Sequence, residues 1–377
     1  MTTRNHRIRF MENNFAELIS ASISYSSQLS SFPFDNAVNK FRSRVWKPSG
    51  YFEFSTEYDN NKIYINDGIN KEITLNGSYA TPALAAAHIQ TQLNASSANW
   101  TVTYDVVSET YKFTISNSGS VILRLSEQTS SAWNTLGYTL TTDQTGTSFE
   151  AQEQRNHLHE KVTFDLGYNA TITFFALIGP LNEVFSISNN ASVVLLGSNL
   201  NQWSNPPFSV SLPITDLGAI RFLDDYDDTG YRFWRVLIED KQNPNGPSGF
   251  SIGHLYIGDY ITLSNRNINI GFEKGDIDPS DIIESEAGVL HYDTKTKYSK
   301  ISSASIGLLN RSDKDVLTSM FNKLGKTTPF FISLDPLTQT TSSIDELTKY
   351  VVFSDEPKFR HIINDIYSMS MSFREVV

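Results

Sequence analysis

Apolar and polar residues alternate with period two along most of this 377-residue chain. Ile23 and Tyr25, then Val102, Tyr104 and Val106, then Phe113 and Ile115, alternate with polar neighbours dominated by Ser and Thr, and Asn, Gly, Asp and Pro bound the runs. A segment of this kind puts one face against a core and the other in water, so the pattern predicts half-buried antiparallel strands. Two segments break it. Thr81 to Asn94 has a Thr cap, Pro at the first helical position, an alanine run, and Leu84, Ile89 and Leu93 in rough helical spacing. Ser312 to Leu324 starts at Ser, presents Val316, Leu317, Met320, Phe321 and Leu324, and stops at Gly325. Its Asp313 and Asp315 suit the partial positive charge of a helix N-terminus. The expectation is a mainly β, multidomain protein with one helix in each of two modules.

The texture of the chain divides it further. Residues 57–150 make a self-contained α+β stretch: strand signals from Lys62 to Leu75, the alanine-rich helix, strands at Trp100 to Asp105, Tyr111 to Ser116 and Val121 to Leu125, then Leu136-Gly137-Tyr138. The pieces on either side, 15–56 and 155–265, look incomplete alone, so 57–150 reads as a module inserted into a loop of one split β-sandwich. Such an insertion costs little when its ends lie close, because each doubling of loop length adds only about 0.6 kcal/mol. Residues 1–14 are then an N-terminal arm, and 267–377 a third unit.

Charge narrows the partners. Acidic residues outnumber basic ones, 41 to 30, and the net charge is −11; residues 1–50 carry +4 of it and leave −15 for the rest. Nucleic-acid binding needs a concentrated basic surface, so that class is excluded as the main activity. There is no cysteine, which removes disulfides, thiolate metal sites and cysteine nucleophiles together. The N-terminus lacks the apolar stretch of a secretion signal, and the longest apolar run, Ile172 to Gly179, falls far short of the roughly 20 residues that span a bilayer; no membrane insertion is expected.

Two stretches flanking the insert carry a resemblance. Ser30-Ser31-Phe32-Pro33-Phe34-Asp35-Asn36-Ala37 with Arg42 and Trp46, then Val162 to Gly167 (Val-Thr-Phe-Asp-Leu-Gly), Ala176 to Gly179 and Tyr231 to Val236, resemble the discoidin-like, galactose-binding β-sandwich family. The resemblance implies a jelly roll in which the Asp-Leu-Gly turn ends a strand. Trp46 and Phe233, one from each flank, are expected in its core. The C-terminal unit resembles the tail-tube-like β-barrel domains of tailed-bacteriophage tail-tip and baseplate proteins. That likeness rests on the helix ending at Gly325, Lys326-Thr327-Thr328-Pro329-Phe330-Phe331-Ile332-Ser333-Leu334-Asp335-Pro336, and strands at Tyr350 to Phe353 and Tyr367 to Phe373. It implies a barrel with one helix, with Phe330, Phe331 and Ile332 in the core of an assembly domain and Lys326 near the surface. The insert is similar to small helix-plus-sheet modules of phage and bacterial surface assemblies.

The search for chemistry returns little. Gly246-Pro247-Ser248-Gly249 lacks the last glycine of a nucleophile elbow, and no phosphate-cradling glycine loop follows a strand. His157 and His159 face one way on a strand but have no evident third ligand. Asp224, Asp225, Asp227 and Asp228, ending in Thr229-Gly230, are the candidate calcium site, weighed against a solvated acidic turn; Asp276, Asp278 and Asp281 raise the same question more weakly. Calcium is the single cofactor candidate. Trp203, with Asn201 and Gln202, is the candidate sugar platform: a loop aromatic beside planar hydrogen-bonding side chains, weighed against a plug at the end of a sandwich.

The reading expected from these features is a non-enzymatic structural protein of a phage tail tip or baseplate. It would form a distal-tail-like ring or adaptor from copies of itself, contacting tail-tube and tail-hub proteins and host surface carbohydrate. It would reside in the virion after assembly in the host cytoplasm. A carbohydrate-binding adhesion protein is the alternative.

Overall fold

The computed structural model describes residues 8–376 apart from 19–21, 51, 58, 106–110, 156–157, 182–184, 186, 189–190, 224–228, 241–242, 244–249, 265–267, 270–271, 285–289 and 335–346. Alternation produces a mainly β molecule built from antiparallel ladders. One five-stranded sheet runs in the order Phe208–Ser211, Ser192–Ser198, Tyr231–Asp240, Leu158–Ala170, Ile23–Tyr25. Its inward residues Val162, Phe164, Val193, Leu195, Trp234, Val236 and Ile238 share a core with Phe175, Leu177, Leu255 and Ile257 of a second sheet. Two sheets thus pack face to face, as period-two strands with one apolar face require.

Strand Leu158–Ala170 runs through the Asp-Leu-Gly segment, which was expected to end it. Gly167 takes φ +74 and its N–H donates to Asp165 Oδ1 at 2.9 Å, so the segment is a register shift inside the strand.

The second sheet is ten-stranded among the described residues. It begins with Gly218–Phe222, Phe174–Ile178 and His254–Thr262, continues through Arg9–Asn14, and goes on to Phe330–Ser333, Thr348–Phe353, Ile366–Glu375, Tyr298–Leu309 and Glu273–Ile277; Lys358–Ile363 also pairs with Ile366–Glu375. Residues 9–14 of the expected arm are therefore a central strand, bonded to His254–Thr262 on one side and to Phe330–Ser333 on the other. Ile8, Phe10 and Met11 are fully buried there; Arg9 and Glu12 between and beside them mask the alternation in the sequence.

The expected C-terminal barrel does not close: no sheet closes on itself among the described residues. The edge of Phe330–Ser333 that closure would consume is taken by Arg9–Asn14. The sheet curls instead. Phe174–Ile178 and Phe330–Ser333 stand three strands apart, about 14 Å in a flat sheet, yet the rings of Phe174 and Phe331 lie 5.4 Å apart. Phe331 joins Met11, Phe174, Ile220, Phe222, Tyr256 and Tyr350 on the concave face. Phe330 and Ile332 point the other way, to a core closed by helix Arg311–Leu324. That helix is capped by the Asn310 side chain, two residues before the expected start at Ser312, and it ends at Gly325 with φ +58.

Residues 52–151 carry a core of their own, in which Ala85, Ala86, Ile89 and Leu93 of helix Pro82–Ser96 pack on strands Lys62–Asn66, Asn70–Thr74, Trp100–Tyr104 and Phe113–Leu123. Leu84, expected on the buried face, is exposed, because the face is set by positions 85, 89 and 93.

Candidate functional site

Trp46 is fully buried in the core shared by the two sheets, with its Nε1 donating to Ser27 O at 3.1 Å. Backbone bonds to Ile252 in both directions, 2.9 Å each, tie it to the second flank. Phe233 is corrected: it is half-buried on the outer face of its strand, with the Arg232 guanidinium 4.8 Å from its ring centroid. Period two puts Trp234, Val236 and Ile238 inward, and Trp234 takes the core position. Phe330, Phe331 and Ile332 are all buried, and Lys326 is exposed, 3.5 Å from Glu356.

The sugar platform at Trp203 is also corrected. The ring is only 7% exposed. Arg235 lies over one face at 4.3 Å, and Nε1 is bonded to Asn201 Oδ1 at 2.8 Å. Arg235 is held there by Thr163 Oγ1 at 2.9 Å and by Glu57. Asn201 and Gln202 are exposed, but the ring they flank has no open face to offer.

Asp224, Asp225, Asp227 and Asp228 lie outside the described residues, as does His157; His159 stands opposite Glu239 in its ladder. Asp278 pairs with Lys297 at 3.2 Å and Asp281 with Lys295, while Asp276 accepts from Ser299 Oγ at 2.7 Å. Hydrogen bonds from the Ser280 hydroxyl and N–H, and then Lys297, hold the Asp278 carboxyl down at about 2. No group of three or more His, Asp or Glu is placed to hold a metal among the described residues.

A different place does gather chemistry. An open cavity of about 500 Å³ lies where strand Ile23–Tyr25, the connection into the inserted unit and the inserted unit itself meet. Its walls are Tyr25 to Gln28, Ser49 and Gly50, Ser78 to Ala80, and Lys161. Each tyrosine is backed on one face. Tyr25 stacks on Phe34 at 4.9 Å and 17°, and Tyr79 on His88 at 4.7 Å and 26°. Tyr25 remains 39% exposed. Lys161 Nζ is neutralised by Glu53, at 2.8 and 3.1 Å, so the wall combines aromatic faces, hydroxyls and an amide with little net charge.

Under this wall sits Glu160, fully buried. Ser26 and Ser27 donate their hydroxyls to its two oxygens, and Gly50 N–H donates to Oε1 at 3.1 Å. Burial outweighs these bonds and pushes the carboxyl up to about 7. The same hydroxyls accept in turn: Ser26 Oγ from Lys161 N at 2.9 Å and Ser27 Oγ from Ser49 N at 3.0 Å. One carboxyl therefore fastens the first flank, the connection into the inserted unit and the second flank. It was visible in the sequence as a phase, since Glu160 precedes Val162 and Phe164 at steps of two on the core-facing side of its strand. Tyr79 and Ser78 had no such signal, because only the folded chain brings them beside Tyr25.

No protein-family model matches this chain, and no curated protein matches it.

Proposed function

We propose that this chain is a structural component of a tailed-bacteriophage tail tip or baseplate, a distal-tail-like ring or adaptor built from copies of itself and docked to tail-tube and tail-hub proteins in the virion. In this reading the face-to-face sheets are a discoidin-like jelly roll that projects outward, and the C-terminal unit is a tail-tube-like assembly domain with an open sheet. The observation that carries it is the single curled sheet running from the outward unit through strand Arg9–Asn14 into the C-terminal unit. Such a sheet is a rigid mount that transmits position from an assembly face to a projecting one. Arg42 reinforces it, donating to Gly179 O at 3.1 Å, Pro180 O at 2.9 Å and Val376 O at 3.3 Å, so that three distant segments meet on one guanidinium. The buried ionisable groups serve packing in this reading: among the described residues Glu160 accepts from the Ser26 and Ser27 hydroxyls and the Gly50 N–H, and His254 bonds a backbone carbonyl. Mass spectrometry of purified tail tips from the phage that encodes the chain tests the reading; tips without it would sink the proposal.

The cavity at Tyr25 and Tyr79 favours a second reading, carbohydrate recognition. Aromatic faces beside hydroxyls and an amide, with the one lysine neutralised, suit a neutral sugar, and about 300–1,000 Å³ is the usual size of small-ligand sites. A saccharide screen by protein-observed NMR is expected to find a ligand whose binding Tyr79→Ala removes; no binder at millimolar concentration counts against it.

A further inference from the structure

We infer that two different surfaces of the C-terminal unit bind each other between copies: the ribbon strand Asp281–Glu284 of one copy adds as an antiparallel strand to the edge strand Lys358–Ile363 of the next. This rests on the ring reading above and names the surfaces that would build it.

The ribbon is the first half of the argument. Beyond the pairing of Glu273–Ile277 with Tyr298–Leu309, the chain continues into a two-stranded piece, Asp281–Glu284 with Leu290–Asp293, that pairs with no other strand among the described residues. Ile282 is 66% exposed, Ile283 61% and Tyr292 68%. An isolated two-stranded ribbon is marginally stable in water, and aliphatic side chains on both its faces gain nothing there.

The second half is the edge at Lys358–Ile363. It pairs only with Ile366–Glu375 among the described residues, and Ile362 and Ile363 are 49% and 62% exposed. An open edge of this kind presents a row of N–H and C=O groups that another strand can satisfy.

Charge and spacing select the partner as a second copy. The ribbon strand reads Asp-Ile-Ile-Glu and the edge Lys-Phe-Arg-His-Ile-Ile. Lys358, Arg360 and Glu284 make no ion pair among the described residues. An antiparallel register that sets Ile282 opposite Ile362 also sets Glu284 opposite Arg360, on the same face, because side chains alternate. The two surfaces lie at opposite ends of strand Tyr298–Leu309. Ile277 pairs with Tyr298 at the ribbon's root, and Leu309 pairs with Tyr367, which also pairs with His361. They are separated by about 35 Å at roughly 3.3 Å per residue, so one copy cannot satisfy itself. Head-to-tail contact leaves every copy with one used surface of each kind and closes into a ring when the rotation allows.

The absence of cysteine makes the test clean. The full chain carrying Ile282→Cys and Ile362→Cys together is expected to give a ladder of disulfide-linked species under an added oxidant. A mixture of the two single variants is expected to stop at dimers, with the 282–362 disulfide identified by peptide mass spectrometry. Independently, Arg360→Glu is expected to weaken self-association at least tenfold in sedimentation velocity, and adding Glu284→Lys to restore it. All these positions are exposed, and far-UV circular dichroism checks that each variant is folded. Oligomers without the 282–362 link and insensitive to charge reversal overturn this surface and leave the ring reading standing. A chain that stays monomeric at every concentration and gives no linked species overturns the docking; the ring reading is judged separately by the tail-tip composition.

Discussion

Glu160 and His254 are buried ionisable groups that their surroundings push in opposite directions. Burial raises the Glu160 carboxyl from 4.5 to about 7 and lowers the His254 imidazole from 6.5 to about 4. His254 Nδ1 donates to Asn39 O at 2.8 Å, and its ring lies 5.1 Å from that of Tyr350, so the neutral ring is held between the two parts of the large sheet. For Glu160, the folded state holds a proton that the unfolded state has lost between about pH 4.5 and 7, so its contribution to stability falls as pH rises through that window. For His254, the unfolded state takes up the proton first, so its contribution is full above 6.5 and is lost as pH falls towards 4. Each shift corresponds to about 3 kcal/mol, and the two slopes oppose one another from about pH 4.5 to 6.5. Glu160→Gln should therefore expose the His254 slope. Its urea midpoint is expected to rise with pH from 4 to 6.5 while the parent stays flatter, and to exceed the parent's above pH 7. A variant whose pH profile parallels the parent's would show that Glu160 does not titrate in this way.

Among elements, the turn Leu136-Gly137-Tyr138 shows how a local conformation supports a core. Gly137 has φ +88, and a Cβ there would meet Glu153 O at 2.4 Å. Tyr138 follows, buried, with its hydroxyl donating to Phe149 O at 2.9 Å. Burial pushes that hydroxyl's pKa far above its usual range, so it stays a donor at every accessible pH. Gly137→Ala is expected to cost about 1–3 kcal/mol through backbone strain and the carbonyl clash, lowering the melting of the inserted unit alone in calorimetry. At the C-terminal helix, Asn310→Ala removes the side-chain acceptor of Asp313 N–H, 2.7 Å away, and should cost about 1 kcal/mol. Asp313, expected only to meet the helix dipole, is buried and receives the N–H and hydroxyl of Ser264, both at 3.0 Å.

Over the whole molecule, two melting units are expected instead of three. The face-to-face sheets and the C-terminal unit share one sheet through Arg9–Asn14, so they should unfold together, whereas the inserted unit has a separate core. Trp46→Ala is expected to cost about 3–5 kcal/mol and to lower the shared transition, the C-terminal unit with it, leaving the insert's transition in place. Persistence of a separate C-terminal melt would show that the sheet is not one cooperative unit. The insert should be removable, but at different ends from those its composition suggests. Phe52, Phe54 and Ala151 belong to its core, so a bridge between 56 and 151 would strand them in water. Replacing residues 52–155 by a short Gly/Ser bridge is expected to leave a cooperative transition; aggregation of the truncated chain would refute the separation of the cores.

Strand and helix content were legible because period two and helix caps are local properties of ten or so residues. Trp46 as a core residue, the helix stop at Gly325, and the inward phase of Phe330, Phe331 and Ile332 at a doubly buried strand all follow from such runs. Phe233 is one residue out of phase with the core position at Trp234, and in a strand one residue is the whole difference between core and surface. What only the tertiary structure decided were matters of pairing between distant segments. Strand Arg9–Asn14 took the edge that would have closed a barrel, Arg235 covered the ring of Trp203, and Tyr79 was carried to within one cavity of Tyr25. No local pattern encodes those meetings, because the free energy that selects them belongs to surfaces that come together only when the chain has folded.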